Sequence, residues 1–439
     1  MIGKFILGLT LIIACGSSLA ADDQTFNVRK YGAKGDGQTK DTAALQRALD
    51  ACATNGGGTV IIPEGVYLTG SLLLGSHTSL ELQKKSCLVG SPDIADYPLQ
   101  QVRWEGEFRG GHRALLSATQ TDHLAITGPG VIFGPPINIS NLRNPRGPVL
   151  IELTDCTNTV LENFTTQYER LWSIHLLFCQ NLTVNGLIIR TVSDNGDGID
   201  VDSCRDILIE HTTIDTGDDA ISLKSGRGLA AEQLGRPTEN ITIRDCSLNS
   251  SIDAGLGIGT EMSGGIRNVR LENCTISGHQ NAIYFKSRDG RGGFMENITG
   301  DNLVINDSPT FIGIDLLKKG IQATDPVPGD VAKWSVVKNL SFRHVQLNHV
   351  AEIVAGKNIP PQRILDGLTL TDIAGTCSRG ISLANMTNVK IANLNVTGFY
   401  GPLINTENVK GDGLGKGQWA ANLSGGKSGH RIDVTACSN

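Results

Sequence analysis

Cys156-Thr-Asn-Thr-Val-Leu-Glu162, Cys179-Gln-Asn-Leu-Thr-Val-Asn185 and Cys204-Arg-Asp-Ile-Leu-Ile-Glu210 share one pattern: an Asn or Asp two residues after a cysteine, then alternating apolar side chains. The Asn and its apolar tail return at Asn240-Ile-Thr-Ile243, Asn268-Val-Arg-Leu271, Asn297-Ile-Thr299, Asn339-Leu-Ser-Phe342 and Asn388-Val-Lys-Ile391. Successive offsets are 23, 25, 34, 28, 29, 42 and 49 residues, the last being two turns with Gly367-Leu-Thr-Leu370 between. Such short strands with period-two alternation cannot bury a face alone. Stacked as coils, they enclose one continuous interior, and each strand pairs with neighbours ~4.8 Å above and below. The expected fold is therefore all-β, a single-domain right-handed parallel β-helix.

Working outward, earlier coils are visible at Thr78-Ser-Leu-Glu-Leu82 and Asp122-His-Leu-Ala-Ile126. Cys246 and Cys274 each follow their repeat's Asn by six residues, so both cysteine sets are expected as columns of buried thiols rather than disulfides. Triplets such as Asn181-Leu-Thr183 fall out of the repeat and need not be glycosylated. Residues 41–52 place Leu45, Leu49 and Cys52 on one helical face, with Asp41 or Thr42 as cap, which suits an N-terminal capping helix over the open coil. From about Asn405 the Gly-rich chain is expected to leave the repeat as an irregular tail.

Residues 1–20 read as a signal peptide, with Lys4, a ten-residue apolar run to Ala14, and Ser18-Leu-Ala20 for cleavage. That run is too short to span a bilayer, which takes ~20 residues. Ile12-Ile-Ala-Cys15-Gly16 offers a second reading, a lipoprotein signal ending before Cys15. The chain is expected to be exported, secreted or periplasmic, with residues 21–439 as the β-helix domain and the lipid anchor left open. With 38 basic against 44 acidic residues, a net charge of −6, a nucleic-acid partner is excluded, and capped repeat cores are expected as monomers. Glycine at 53 of 439 residues, with no collagen period and only 15 prolines, fits the many turns of coiled strands.

The densest chemistry lies in Ser193-Asp-Asn-Gly-Asp-Gly-Ile-Asp-Val-Asp202 and Asp215-Thr-Gly-Asp-Asp-Ala220. Asp197 and Asp218 are 21 residues apart, about one coil, so Asp197 belongs beside the Asp218-Asp219 pair. Carboxyls packed together repel, and at least one keeps its proton to higher pH. That set supplies both a proton for a leaving oxygen and a base for water, the division glycoside hydrolysis needs, with no metal or cofactor. The competing readings are corner-capping residues, as at Asp206, or a calcium site. Two neighbours on a regular strand face opposite ways, so aiming both at one groove takes a bend that Gly217 permits.

From Phe26 to about Thr397 the chain resembles the family 28 glycoside hydrolases, the polygalacturonases and their relatives. The carriers are Tyr31-Gly-Ala-Lys-Gly-Asp-Gly37, Gly56-Gly-Gly-Thr-Val-Ile-Ile-Pro63, Trp104-Glu-Gly106, Trp172-Ser-Ile-His175, Gly259-Thr-Glu-Met-Ser-Gly-Gly265 and the two Asp-rich segments. The resemblance implies Asp218 as general acid, Asp197 and Asp219 holding and activating water, and inversion at the anomeric carbon. It matches Asn195-Gly-Asp197 and Gly217-Asp-Asp219 to the family's catalytic segments. Where the family has Gly-His-Gly this chain has Asp253-Ala-Gly255, and where it has Arg-Ile-Lys it has Tyr284-Phe-Lys286. Losing a bidentate arginine weakens carboxylate recognition at that position. Arg288 and Arg291 follow closely and are read either as replacements or as solvated charges. Asn195, Lys286, Tyr284 and His175 complete the candidate substrate-binding set, the last two open to a plain packing reading.

The implied function is hydrolysis of α-galacturonosyl bonds in pectic polysaccharide. A rhamnogalacturonan hydrolase, a polysaccharide lyase on the same scaffold and a non-catalytic carbohydrate-binding β-helix are the alternatives. Residues 103–113 and 317–334 are the segments expected to decide whether the groove is open at both ends.

Overall fold

The computed structural model describes residues 24–137, 145–317, 333–415 and 419–420. The signal segment with Cys15, residues 318–332 and residues 421–439 lie outside them, so the leader and most of the expected tail are not described. Among the described residues no helix is long and apolar enough to cross a membrane.

The repeat folds as its period requires. Leu182, Ile207, Ile241, Val269, Ile298, Leu340 and Leu368 pair in parallel register from coil to coil. All seven are buried. A second column, Ile174, Ile199, Ile221, Leu256, Ile283, Ile312, Val354, Ile381 and Ile404, runs along another face. Each strand is too short to stand alone, and the stack supplies both its hydrogen bonds and its apolar contacts. The result is the right-handed parallel β-helix read from the repeat.

The motif's Asn or Asp occupies a corner, not a strand centre. Asn158, Asn181, Asp206, Asn240, Asn268, Asn297 and Asn339 all have φ between 50° and 58°, the left-handed region that Asn and Asp tolerate best after glycine. Their amides form a ladder: Asn268 Nδ2 donates to Asn240 Oδ1 at 3.0 Å, Asn297 Nδ2 to Asn268 Oδ1 at 3.1 Å and Asn339 Nδ2 to Asn297 Oδ1 at 3.0 Å. Cys156, Cys179 and Cys204, and likewise Cys246 and Cys274, are buried free thiols as expected, and Cys52, Cys87 and Cys377 are free as well, Cys87 only half-buried.

Helix α1 (Thr42–Thr54) closes the N-terminal end, burying Ala44, Leu45, Ala48, Leu49 and Cys52. Its cap differs from expectation. The Asp41 carboxylate accepts from Lys34 N and Gly35 N, and the Thr42 hydroxyl accepts from Gly70 N, so both tie the helix to neighbouring segments rather than to its own first turn. The repeat also runs further than expected. Ile404–Asp412 pairs in parallel with the preceding coil, Ile381 opposite Ile404 through Lys390 opposite Asp412. It is the last rung among the described residues, mostly exposed, and lacks the apolar alternation that marks inner coils.

One insertion positions the site. Strands Leu99–Trp104 and Glu107–His112 form an antiparallel hairpin outside the stack. It is fastened by a buried pair in which Arg103 Nε lies 2.9 Å from Asp202 Oδ2, the guanidinium flanked by Phe108 and Phe178.

Candidate active site

Two successive turns carry the expected acids. The first joins strand Ile188–Thr191 to Ile199–Asp202 and holds Asn195 and Asp197; the second joins Thr213–Thr216 to Ile221–Lys224 and holds Asp218 and Asp219. Gly198 N donates to Asp219 O at 3.0 Å, which stacks one turn on the other. A Cβ on Gly217 would lie 2.0 Å from Ser193 O, so this glycine is required by the close approach of the two backbones. The same holds at Gly257, where a Cβ would lie 2.2 Å from Asp219 Oδ2.

Asn195, Asp197, Asp218, Asp219 and Lys286 line one cleft, together with Trp104, Glu105, Trp172, Lys224, Asp253 and Glu261. Asp197 and Asp219 are buried and Asp218 is half-buried.

Two lysines divide the charge. Lys286 Nζ lies 2.7 Å from Asp219 Oδ2 and 3.0 Å from Asp253 Oδ2. Lys224 Nζ lies 2.7 Å from Asp200 Oδ1 and 3.6 Å from Asp197 Oδ2, with the Trp172 ring 4.0 Å away. Among the described residues Asp218 makes no ion pair; its Oδ1 accepts the backbone N–H of Asp219 at 2.9 Å. Burial, then the charge of Asp197, pushes the Asp218 carboxyl up to about 7. Burial raises Asp219 to about 6 against the opposing pull of Lys286. Asp197 is raised well above its ordinary value by burial and by Asp200. Burial also pushes Glu261 up, but Lys224 and Arg291 outweigh it and hold that carboxyl low.

Oxygens of Asp218, Asp219 and Asp253 lie within 4.8 Å of one another, close enough to share a metal ion. The ammonium of Lys286 already bonds two of the three, so a resident cation belongs to the chain itself.

The other expected residues stand behind the lining. His175 is wholly buried, with Nδ1 3.2 Å from Glu152 and its ring edge-on to Trp172. Tyr284 is mostly buried, its ring 5.5 Å from Lys286 Nζ. Arg288 and Arg291 are 7% and 1% exposed, which rules out the solvated-charge reading, and neither lines the cleft. Sequence reasoning missed Lys224, Asp200 and Asp253. Asp200 and Lys224 look like alternating polar residues on exposed strand faces until the hairpin covers that face, and Asp253 was seen only as the neighbour of Ala254.

The description Glycosyl hydrolases family 28 matches residues 59–398, most of the chain. The protein belongs to that family. This family 28 chain is 31% identical over 299 residues to a probable polygalacturonase of Vitis vinifera, covering 64% of this chain and 61% of the relative. It is 27% identical over 342 residues to an exo-poly-alpha-D-galacturonosidase of Dickeya chrysanthemi, covering 65% and 56%. It thus spans about three-fifths of the length of these curated relatives. The hyperthermoactive exopolygalacturonase of Thermotoga maritima superposes with a TM-score of 0.72 at 26% identity, over 86% of this chain and 92% of that one. The family 28 exopolygalacturonase of Yersinia enterocolitica gives 0.76 at 22% identity over 90% and 79%, a likeness of fold.

Proposed function

We propose that the protein is an exported, inverting glycoside hydrolase that cleaves α-galacturonosyl linkages in pectic polysaccharide. The observation that carries this reading is the pairing of carboxyls with ammonium groups. Of the three acids expected to be catalytic, Asp219 has an ammonium partner at 2.7 Å and Asp197 one at 3.6 Å, while Asp218 has none among the described residues. A half-buried carboxyl with no cation in contact keeps its proton near neutral pH, and that proton is what a leaving glycosidic oxygen needs.

In the proposed reaction the Asp218 carboxyl gives its proton to the glycosidic oxygen as the bond from that oxygen to C1 breaks. Asp197 and Asp219 hold a water on the opposite face of the ring, and one of them accepts its proton as the new bond to C1 forms. The product has inverted configuration. Asn195 and Lys286 face the substrate; His175, Tyr284, Arg288 and Arg291 act from behind the lining. The pectic substrate finds support in the names of the family 28 relatives, and export rests on the reading of residues 1–20.

Incubation with polygalacturonate and with rhamnogalacturonan oligosaccharides, followed by NMR, tests this. A saturated product whose first-formed anomer is inverted is expected. An ultraviolet-absorbing unsaturated product identifies a lyase, and bound but uncut substrate identifies a binding protein.

A further inference from the structure

Strand Ile199–Asp202 sends Ile199 and Val201 into the core and Asp200 and Asp202 to the opposite face, where both are buried as well. Lys224 lies directly opposite Asp202 in the parallel register. That aspartate is already held by Arg103, with Nε 2.9 Å from Oδ2 and Nη2 3.3 Å from Oδ1. Lys224 turns instead to Asp200, two residues back on the same face, and its Nζ stands 2.7 Å from Asp200 Oδ1. The Trp172 ring covers the same ammonium at 4.0 Å.

One cation is thereby shared unequally between two acids. Asp200, wholly buried, takes the short contact, and Asp197, which lines the cleft, is left with the long one, 3.6 Å from its Oδ2. Burial lifts Asp200 to about 7 against the pull of Lys224, and the charge of Asp200 adds to burial in raising Asp197. Asp197 therefore has a cation near enough to let it ionise but too far away to quench its basicity. Asp219 is served differently. Its Oδ2 accepts from Lys286 Nζ at 2.7 Å and from Ser222 Oγ at 3.2 Å, and its Oδ1 from Ala254 N at 3.2 Å. Donors bound to a carboxylate make it a poorer acceptor for a further proton.

We propose that Asp200 and Lys224 are positioning residues that set the basicity of Asp197: Asp200 holds the ammonium back, and Asp197 takes the proton of the attacking water. This rests on the hydrolase reading above. As the water oxygen bonds to C1, its proton passes to Asp197, while the bond from C1 to the leaving oxygen breaks and that oxygen takes the proton of Asp218. Asp197 ends protonated and Asp218 ionised. Among the described residues, Asp218, Asp219, Lys286 and Arg146 also act on Asp197, and Glu261 acts on Lys224. All of these stay in place when Asp200 or Lys224 is replaced.

The test is kcat/KM against pH, on whichever of the two pectic substrates above is cut, for wild type, Lys224→Met, Lys224→Arg and Asp200→Asn, with folding checked by circular dichroism. The rising limb of that profile reports ionisation of the group that accepts the proton. Lys224→Met is expected to move the limb up by about one pH unit or more, lowering the rate on that limb about tenfold. Lys224→Arg keeps the charge and is expected to hold the limb near its wild-type place. Asp200→Asn removes a negative charge and frees the ammonium for Asp197, so the limb is expected to move down. A loss of packing alone does not displace the limb in opposite directions. Any other pattern in folded protein overturns the inference and leaves the hydrolase reading standing. Should Lys224→Met not fold, the downward shift in Asp200→Asn decides alone. If wild type cuts neither substrate, the hydrolase reading fails, and carbon-13 NMR titration of the Asp197 carboxyl, assigned through Asp197→Asn, decides the charge sharing. The same opposite displacements are expected there, and a midpoint unmoved by Asp200→Asn overturns it.

Discussion

Lys286 reaches from one coil to Asp219, two coils away in the stack, and holds its carboxylate at 2.7 Å on the buried floor of the cleft. The same ammonium holds Asp253, so one cation stabilises one buried and one half-buried carboxylate. Removing one partner of such a group leaves charge uncompensated, at a cost of about 3–5 kcal/mol. Lys286→Met is therefore expected to lower the urea midpoint strongly at pH 7 and much less near pH 4, where the aspartates take up protons. An unchanged midpoint at pH 7 contradicts the ion-pair account.

Asp219 owes its position to a missing side chain. Gly257 lies directly beneath it, and its φ is outside the left-handed region, so alanine fits the backbone but not the space. Gly257→Ala is expected to keep the circular dichroism of the wild type and to lower kcat about a hundredfold, the usual consequence of misplacing a reacting group by about 1 Å. Full activity would mean that Asp219 need not stay where it is.

The raised carboxyls make stability depend on pH in a fixed direction. Asp218 lies at about 7 against an ordinary value of 3.8. A carboxyl raised on folding contributes stability that is complete below its unfolded value and is lost as the pH climbs through its folded value. Asp218→Asn removes that loss. The variant should gain stability relative to wild type from pH 4 to pH 7, by at most about 1.4 kcal/mol per pH unit. Urea melts across that range check it, and a difference that does not change with pH speaks against a protonated Asp218.

The corner ladder is open to a separate test. Asn268 combines a φ of 56° with one amide bond to Asn240 and another from Asn297. Asn268→Ala loses both bonds and strains the corner, for an expected loss of about 1–3 kcal/mol. Thermal melts of Asn268→Ala and Asn268→Gly separate the two causes, since glycine relieves only the strain.

Because Lys286 supplies the cation among Asp218, Asp219 and Asp253, added chelator is expected to leave turnover unchanged. Activity lost to EDTA and restored by a divalent ion would require a metal there.

Much of this arrangement was legible in the repeat. A short period of Asn followed by alternating apolar residues fixes coil length, and coil length places Asp197 beside Asp218 and Asp219. What stayed hidden depends on which side of a strand is covered. Asp200, Lys224 and Asp202 alternate with Ile199, Val201 and Leu223 just as solvent-facing residues do, and the hairpin at Leu99–Trp104 and Glu107–His112, through Arg103, and the Trp172 ring cover that face. The last rung failed for the converse reason: Ile404–Asp412 pairs normally but is largely exposed, so its sequence carries no apolar rhythm.

The most direct measurement is single-turnover hydrolysis by Asp218→Asn protein on the best pectic oligomer, with folding verified by circular dichroism. The account predicts loss of at least about a thousandfold in rate with substrate still bound, because asparagine has no proton to give the leaving oxygen. A rate within tenfold of wild type would place the proton donor elsewhere.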